Sequence, residues 1–446
     1  MLAADDGQEP LPKEIFADLA DMIYKAGGFH VEQMRDPRAR RMISATAERF
    51  GRAVSQTLPV EVPDTLRYAL EENGFVFSGF KTFHAMREVG LSMLTDKGEI
   101  KPYNEFEKDV LRIDATYNRN WLNAEYNHAV GASQMAARWN RIEQDGDRYL
   151  LQYRTAEDEK VRAEHRPLNG ITLPPSDPFW NEYLPPNGWG CRCTAVQVRR
   201  GKYQESDPEE AKRLGDQCTA TPNQRIFRYN PGKTLKLFPP KHPYYKVPEP
   251  DKTTIKRIAE YTRLSNDPNY KDVVYDARTN GLMATNIEHN EQKENPEKFF
   301  NGQFTGIELE KHCQQQLFEL GHSAILLGEK SEDKKGHTLT SLDMMLDGHI
   351  MDIKSLTGDK DMRYGYSILT KNKQAKKYNQ RKDKLQTCDS VCLYFENPEM
   401  FDHKRMREDI VWCYDQKHKD GSDIEIVLKH IYVVVKGADK IRIYDI

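Results

Sequence analysis

A chain of 446 residues exceeds the roughly 250 to 300 residues at which a single core stops growing, so two or three domains are expected. Its 66 Lys and Arg nearly balance 69 Asp and Glu, which excludes a global positive field for nucleic acid and makes any such site local. The opening MLAADDGQEPLPKEIF lacks a basic segment followed by an apolar one, no stretch approaches the roughly 20 apolar residues of a membrane span, and seven widely spaced cysteines with one Cys-x-Cys argue against a disulfide framework. These features predict a soluble, unsecreted protein made in a reducing cytosol, with no membrane partner.

Residues 1–100 read as a helical N-terminal region, with Ile15, Leu19 and Ile23 in helical steps, followed by Met42, Ile43, Phe50 and Val54. Between Asp64 and Ile100 short apolar stretches alternate with turns, and GFVFSGFKTFHAMREVG reads as a compact connector of aromatics and a helix. A second region, 101–221, opens on Val110, Leu111, Ile113, Tyr117, Trp121, Tyr126, Met135 and Trp139. That spacing predicts one or two amphipathic helices broken near Gly131, with the strand-like YLLQYR following at Tyr149. Seven prolines between Pro222 and Pro250 forbid regular ladders, so 222–252 is expected to be an extended linker.

Residues 253–302 read as an adaptor with a helix over IKRIAEYTRL and a strand pair around VVYDARTNGLMATNI, turned at Thr279-Asn280-Gly281. From 303 to 446 the pattern becomes α/β. Helix GIELEKHCQQQLFEL, strand SAILLGE, hairpin LTSLDMMLDGHIMDIKS, helix ILTKNKQAKKYNQRKDKL, strand SVCLYFE, helix MFDHKRMREDIVWCY and strands in EIVLKHIYVVVK follow in turn. The predicted class is α+β multidomain, mainly helical at first and α/β at the C-terminus.

In the second region, His165-Arg166-Pro167-Leu168-Asn169-Gly170, Asp177-Pro178-Phe179-Trp180 and Pro185-Pro186-Asn187-Gly188-Trp189 lead into Cys191-Arg192-Cys193. Such blocks fix loops rather than create chemistry. In this order, with WLNAEYNHA and YRTAEDEKVRAEHR upstream, they resemble the phage Mu F-like head morphogenesis proteins over roughly residues 100 to 200. The resemblance implies a minor head protein that meets the portal protein and other procapsid components in the host bacterial cytoplasm and enters the virion. His165, Cys191 and Cys193 offer three soft ligands for Zn2+. Cys-x-Cys is not the usual zinc spacing of about two to four intervening residues and no fourth ligand stands out, so buried thiols in a tight turn are the preferred reading. Arg166 and Arg192 read as loop braces ahead of anion binders.

A sharper chemical expectation comes from Leu339 to Ser355. Asp347-Gly348 is a preferred central pair for a two-residue type I′ turn. Counting outward pairs Leu346 with His349, Met344 with Met351, Asp343 with Asp352, Leu342 with Ile353 and Ser341 with Lys354. Alternation then puts Asp343, Asp352, Lys354 and Ser341 on one face and Leu342, Met344, Met351 and Ile353 on the other. Opposed carboxylates with Cβ atoms roughly 5 Å apart repel unless a proton or cation intervenes. Mg2+ or Mn2+ suits such oxygen ligands, and Lys354 is placed to orient or activate water for attack on a phosphodiester. An exposed polar hairpin face is the bland alternative.

This pattern resembles the PD-(D/E)xK nuclease superfamily, with its restriction-endonuclease-like fold. Asp343 takes the first acidic position and Asp352-Ile353-Lys354 the second half, while Leu342 stands where the family name has proline. The resemblance implies a further acid from the first helix. Glu310, flanked by Gly306, Leu317 and Gly321, is the candidate third metal ligand, with Glu308 as the fallback, and Gln374 falls where a polar helix residue approaches the site. Lys371, Lys373, Lys376, Lys377, Arg381, Lys382 and Lys384 against a single Asp383 form a local basic excess; taken alone a solvated helix face is the preferred reading, and beside the acids the excess suits phosphate. Tyr378 is either a base-stacking or a core ring. His312, His322, His337 and His349 receive no role. The domain looks particularly like the transfer-RNA-cleaving tips of contact-dependent inhibition proteins, implying an RNA or DNA substrate and an immunity protein partner. Two alternatives stand beside it: a tail that binds portal, scaffold or DNA without catalysis, and a metal-independent ribonuclease using His, Arg or Lys.

Overall fold

A computed structural model describes residues 11–289, 304–328, 339–357, 363–381, 384, 386–418 and 420–446. The chain divides into two compact units, Met1–Arg263 and Leu264–Ile446.

The first unit is built on helices α1 (Lys13–Lys25), α2 (Pro37–Thr57), α3 (Asp64–Ser92), α4 (Tyr103–Asp114) and α5 (Leu122–Asp145). Helix α2 starts where sequence chemistry places a start: the Asp36 carboxylate accepts the Arg38 N–H at 2.9 Å, and Pro37 occupies the first turn. Its Met42, Ile43, Phe50 and Val54 are buried, as their spacing predicts. The stretch expected to be a connector with turns is instead one helix of 29 residues, α3. Its glycines serve packing there: a Cβ on Gly90 would lie 2.7 Å from the Phe29 Cβ. The expected break near Gly131 also moves, because Gly131 lies inside α5 and the irregularity is a π-helical turn at Ala115–Trp121. Between α3 and α5, Lys81 and Glu125 form a fully buried ion pair at 2.8 Å.

The prolines of 222–252 do not make a linker. Pro222 and Pro231 begin the short helices α8 (Pro222–Arg225) and α9 (Pro231–Thr234), and Pro243 begins a 3₁₀ turn. At a first helical position proline's missing N–H costs nothing. Between these turns Phe227, Tyr229, Leu237, Phe238 and Tyr244 are buried in the first unit. Phe238 stacks on Phe77 of α3, ring centroids 3.8 Å apart, and its N–H donates to Asn73 Oδ1 at 2.9 Å. Docking is tightest at Gly232, where a Cβ would stand 2.4 Å from the Trp139 Cβ of α5. Gly232→Ala is therefore expected to lower stability by about 1 to 3 kcal/mol in thermal or denaturant unfolding; an unchanged midpoint would mean the segment is not docked on α5.

Beside the helices lies a small antiparallel sheet in the order β2 (Thr172–Leu173), β1 (Tyr149–Arg154), β3 (Thr194–Arg199). Its core includes Trp139, Tyr153, Leu168, Trp180, Leu184 and Cys193. Helices α6 (Phe179–Glu182) and α7 (Pro208–Cys218) flank the signature blocks. Helix α10 spans Asp251–Asn266.

The second unit carries an eight-stranded mixed sheet. Strands β4 (Tyr270–Asp276) and β5 (Gly281–Asn286) form the expected hairpin. They do not stand apart as an adaptor, because β5 pairs in parallel with β6 (Ser323–Leu326) and so extends the C-terminal sheet; the remainder of that expected segment, 290–302, lies outside the described residues. After α11 (Gly306–Glu319), β6, β7 (Met344–Leu346) and β8 (His349–Leu356) run as an antiparallel meander. Helix α12 (Tyr364–Asn379) leads to β9 (Ser390–Phe395), parallel to β8, and α13 (His403–Tyr414) to β10 (His430–Val435), parallel to β9. Strand β11 (Arg442–Asp445) closes that edge antiparallel to β10. The strand expected over EIVLKH starts only at His430, and α12 ends at Asn379, short of the predicted Leu385.

Candidate functional site

The β7–β8 hairpin has the expected turn and register. Asp347 and Gly348 both take positive φ, 48° and 86°, as a type I′ turn requires. Leu346 faces His349 and Met344 faces Met351. One residue before β7, Asp343 Oδ2 accepts the Ile353 N–H at 2.9 Å, which holds its carboxylate beside Asp352. Met344, Met351 and Ile353 pack against Leu309, Cys313 and Leu317 of α11 on one face of the sheet.

The acidic face is not a solvated surface. Asp343 and Asp352 are only 3% and 2% exposed, and α12 supplies partners for Asp352. Gln374 Nε2 donates to Asp352 Oδ1 at 3.1 Å and to the Ser341 carbonyl at 3.3 Å. The Lys371 ammonium lies directly against Asp352 Oδ2. Lys371 and Gln374 are three residues apart on a helix and so share one face, which is the signal that could have assigned Lys371 to the acid rather than to phosphate. Burial and the adjoining Asp343 push the Asp352 carboxyl well above the ordinary range, only partly opposed by Lys371. Burial, with Lys371 nearby, holds the half-buried Lys354 amine below its usual value. Two carboxylates, a depressed amine and a glutamine thus meet in one secluded polar site, the arrangement a divalent cation would relieve.

Glu310 does not join them. It sits on α11, whose apolar side covers the opposite sheet face, and its Oε2 lies 3.2 Å from His289 Nε2. His289, which sequence reasoning left unassigned, is held by the Leu327 carbonyl at 2.7 Å from Nδ1. The fallback, Glu308, caps its own helix by accepting the Thr305 N–H at 2.7 Å. Of the basic set, Lys373 and Lys377 are exposed, Lys376 pairs with Glu425 at 2.6 Å, and Arg381 donates to the Thr340 carbonyl at 2.7 Å. Lys384 donates to the Arg381 carbonyl at 3.2 Å, while Lys382, Asp383 and His337 lie outside the described residues. Tyr378 is a core ring. His312 pairs with Glu396 and His322 with Asp347.

In the first unit the signature blocks are architectural. Gly170 takes φ 87° and its N–H donates to the Tyr153 carbonyl at 2.9 Å. Asp177 accepts the Phe179 N–H at 2.8 Å, Trp180 is fully buried, and buried Asn187 accepts the Tyr153 hydroxyl at 2.9 Å. Arg192 forms a bidentate pair with Asp158 at 2.5 and 2.6 Å, the loop brace expected of it. Arg166 likewise donates to the Val161 carbonyl at 3.3 Å. His165 lies between the two thiols of the Cys-x-Cys, its Nδ1 3.7 Å from both Cys191 Sγ and Cys193 Sγ.

Residues 98–196, which hold these blocks, match the family described as Phage Mu protein F like protein. The segment is Mu F-like. The chain is 33% identical over 176 residues to the Mu-like prophage FluMu F protein of Haemophilus influenzae, covering 37% of this chain and 40% of that protein. It is 26% identical over 201 residues to the putative capsid assembly protein F of Escherichia phage Mu, covering 44% and 42%. A shorter stretch of 47 residues is 47% identical to an uncharacterized protein of Methanocaldococcus jannaschii, covering 10% of this chain and 7% of that one. The chain thus spans about two fifths of the two Mu F relatives' length, and the family match ends within β3, before the second unit begins. No solved structure matches. Among the described residues no helix is long and apolar enough to cross a membrane.

Proposed function

We propose that this chain is a phage or prophage head morphogenesis protein whose C-terminal unit hydrolyses nucleic acid with a divalent metal. The head assignment rests on the Mu F-like segment and on relatives named as a Mu prophage protein and a capsid assembly protein. Portal and procapsid proteins are its expected partners, the host cytoplasm its place of assembly, and the virion its destination.

The nuclease reading is carried by one observation: Asp343, Asp352 and Gln374 converge on the face of β8 that also bears Lys354. Support comes from the connectivity around it, an α-β-β-β-α-β run in which an antiparallel meander is followed by a helix and a parallel strand, the order of the PD-(D/E)xK nucleases that the sequence resembles. Mg2+ or Mn2+ held by Asp343 and Asp352 would activate water and stabilise the charge developing on phosphate, while Lys354 orients the attacking water. RNA is the favoured substrate, and an immunity protein the expected partner in the producing cell. A second reading, a non-catalytic tail that binds portal, scaffold or DNA, is favoured by Lys371, whose ammonium already lies against Asp352, and by the absence of Glu310 from the site.

Both halves of the proposal are tested on one preparation. The whole chain should co-sediment with portal-containing procapsids of its own prophage, and the soluble chain should degrade RNA in Mg2+. Absence from particles and precursors alike removes the head assignment, and intact RNA removes the nuclease.

A further inference from the structure

Four groups, three thiols and one imidazole, come together in the Mu F-like core. His165, Cys191 and Cys193 have ligand atoms that all lie within 4.8 Å of one another, the only such group of three or more His, Cys, Asp or Glu among the described residues. Cys218, the last residue of α7, is buried in the same apolar cluster as Cys193, with Cys191 packed against it. Its thiol lies just outside that group of three and interacts with the His165 ring. The three cysteines form no disulfide, and His165 is 2% exposed with Nε2 buried and lacking a hydrogen-bond partner. Among the neighbouring polar groups, Arg192 is engaged with Asp158, and the Tyr153 hydroxyl, which donates to Asn187, also lies against the Cys193 thiol.

We infer that His165, Cys191, Cys193 and Cys218 form a structural zinc site, with Cys218 as the fourth ligand. Tetrahedral zinc with Zn–S near 2.3 Å and Zn–N near 2.0 Å places its sulfur and nitrogen ligands about 3.6 Å apart, and both Cys191 and Cys193 stand 3.7 Å from His165 Nδ1. The short Cys-x-Cys spacing is accommodated because Arg192, between the thiols, turns outward to Asp158 while its neighbours turn inward. Binding would displace the thiol protons to solvent. The metal would tie the end of α7 to loops that carry no regular ladder, giving the His-Arg-Pro-Leu and Cys-Arg-Cys blocks a shared structural purpose. This site is independent of the nuclease reading, since all four ligands belong to the first unit.

The test uses the whole chain purified under reducing conditions with zinc in the growth medium. One zinc per chain by elemental analysis is expected. Cys218→Ser and His165→Ala should lose it with a lowered melting temperature, whereas Cys413→Ser, a buried thiol of the second unit, should keep it. Substituting Co2+ into the wild-type chain should give the intense visible bands of tetrahedral cobalt and a thiolate charge-transfer band, a readout that needs no variant to fold. A folded wild-type chain that takes up neither zinc nor cobalt overturns the site, as does a Cys191–Cys193 disulfide under the same conditions. Full zinc retention by Cys218→Ser overturns the fourth ligand.

Discussion

Lys354→Ala and Asp352→Asn should each lower nuclease turnover by about 100- to 10,000-fold, the range expected when a positioned acid–base group or metal ligand is removed. The same Asp352→Asn change should stabilise the metal-free chain by about 1 to 2 kcal/mol, because function here is held against folding. Asp352 is buried beside Asp343, so its folded carboxyl titrates well above its unfolded value. A group raised in this way contributes stability that is fully present below the unfolded value and lost as pH climbs through the folded one. Wild type should therefore weaken relative to Asp352→Asn as pH rises from the ordinary carboxylate range, and added Mg2+ should reverse the loss by binding the folded form alone. Melting curves at several pH values check this; a gap between the two proteins that does not change with pH would mean the Asp352 carboxyl is not raised in the folded chain.

A second large effect is expected in the first unit. Glu125→Ala leaves the Lys81 ammonium buried between α3 and α5 with no counter-charge, and should cost about 3 to 5 kcal/mol in denaturant unfolding. Burial alone pulls the Lys81 amine down and pushes the Glu125 carboxyl up, each partly offset by the other. Replacing both, with Lys81→Met and Glu125→Leu, should recover most of the loss, since the pair repays little beyond its own desolvation. A single variant as stable as wild type would mean water reaches this pair.

What was legible in the sequence was what local chemistry decides. Asp347-Gly348 determines a turn, the turn determines a register, and the register brings Asp343 to Asp352. The signature's Asp177 likewise acts within its own loop, accepting the Phe179 N–H. What escaped depended on partners distant in sequence. Prolines such as Pro222 and Pro231 look the same in an extended linker and at helix starts; the aromatics between them decided the outcome by finding a core on α3 and α5. The parallel pairing of β5 with β6 leaves no local trace, so a sheet edge passed for an adaptor. Glu310 had the right spacing from its glycines, but which sheet face α11 covers is set by Leu309, Cys313 and Leu317. Cys218 was invisible as a ligand because nothing near it in the chain is one.

The central claim is that the acidic face of β8 performs metal-dependent phosphodiester hydrolysis. Its most direct test is degradation of RNA, with DNA in parallel, by the purified whole chain in Mg2+, in EDTA, and in EDTA followed by excess Mg2+ or Mn2+. Cleavage that EDTA abolishes, that either ion restores, and that Asp352→Asn lacks throughout is the predicted result. Degradation that persists in EDTA, or that Asp352→Asn performs equally well, would contradict it.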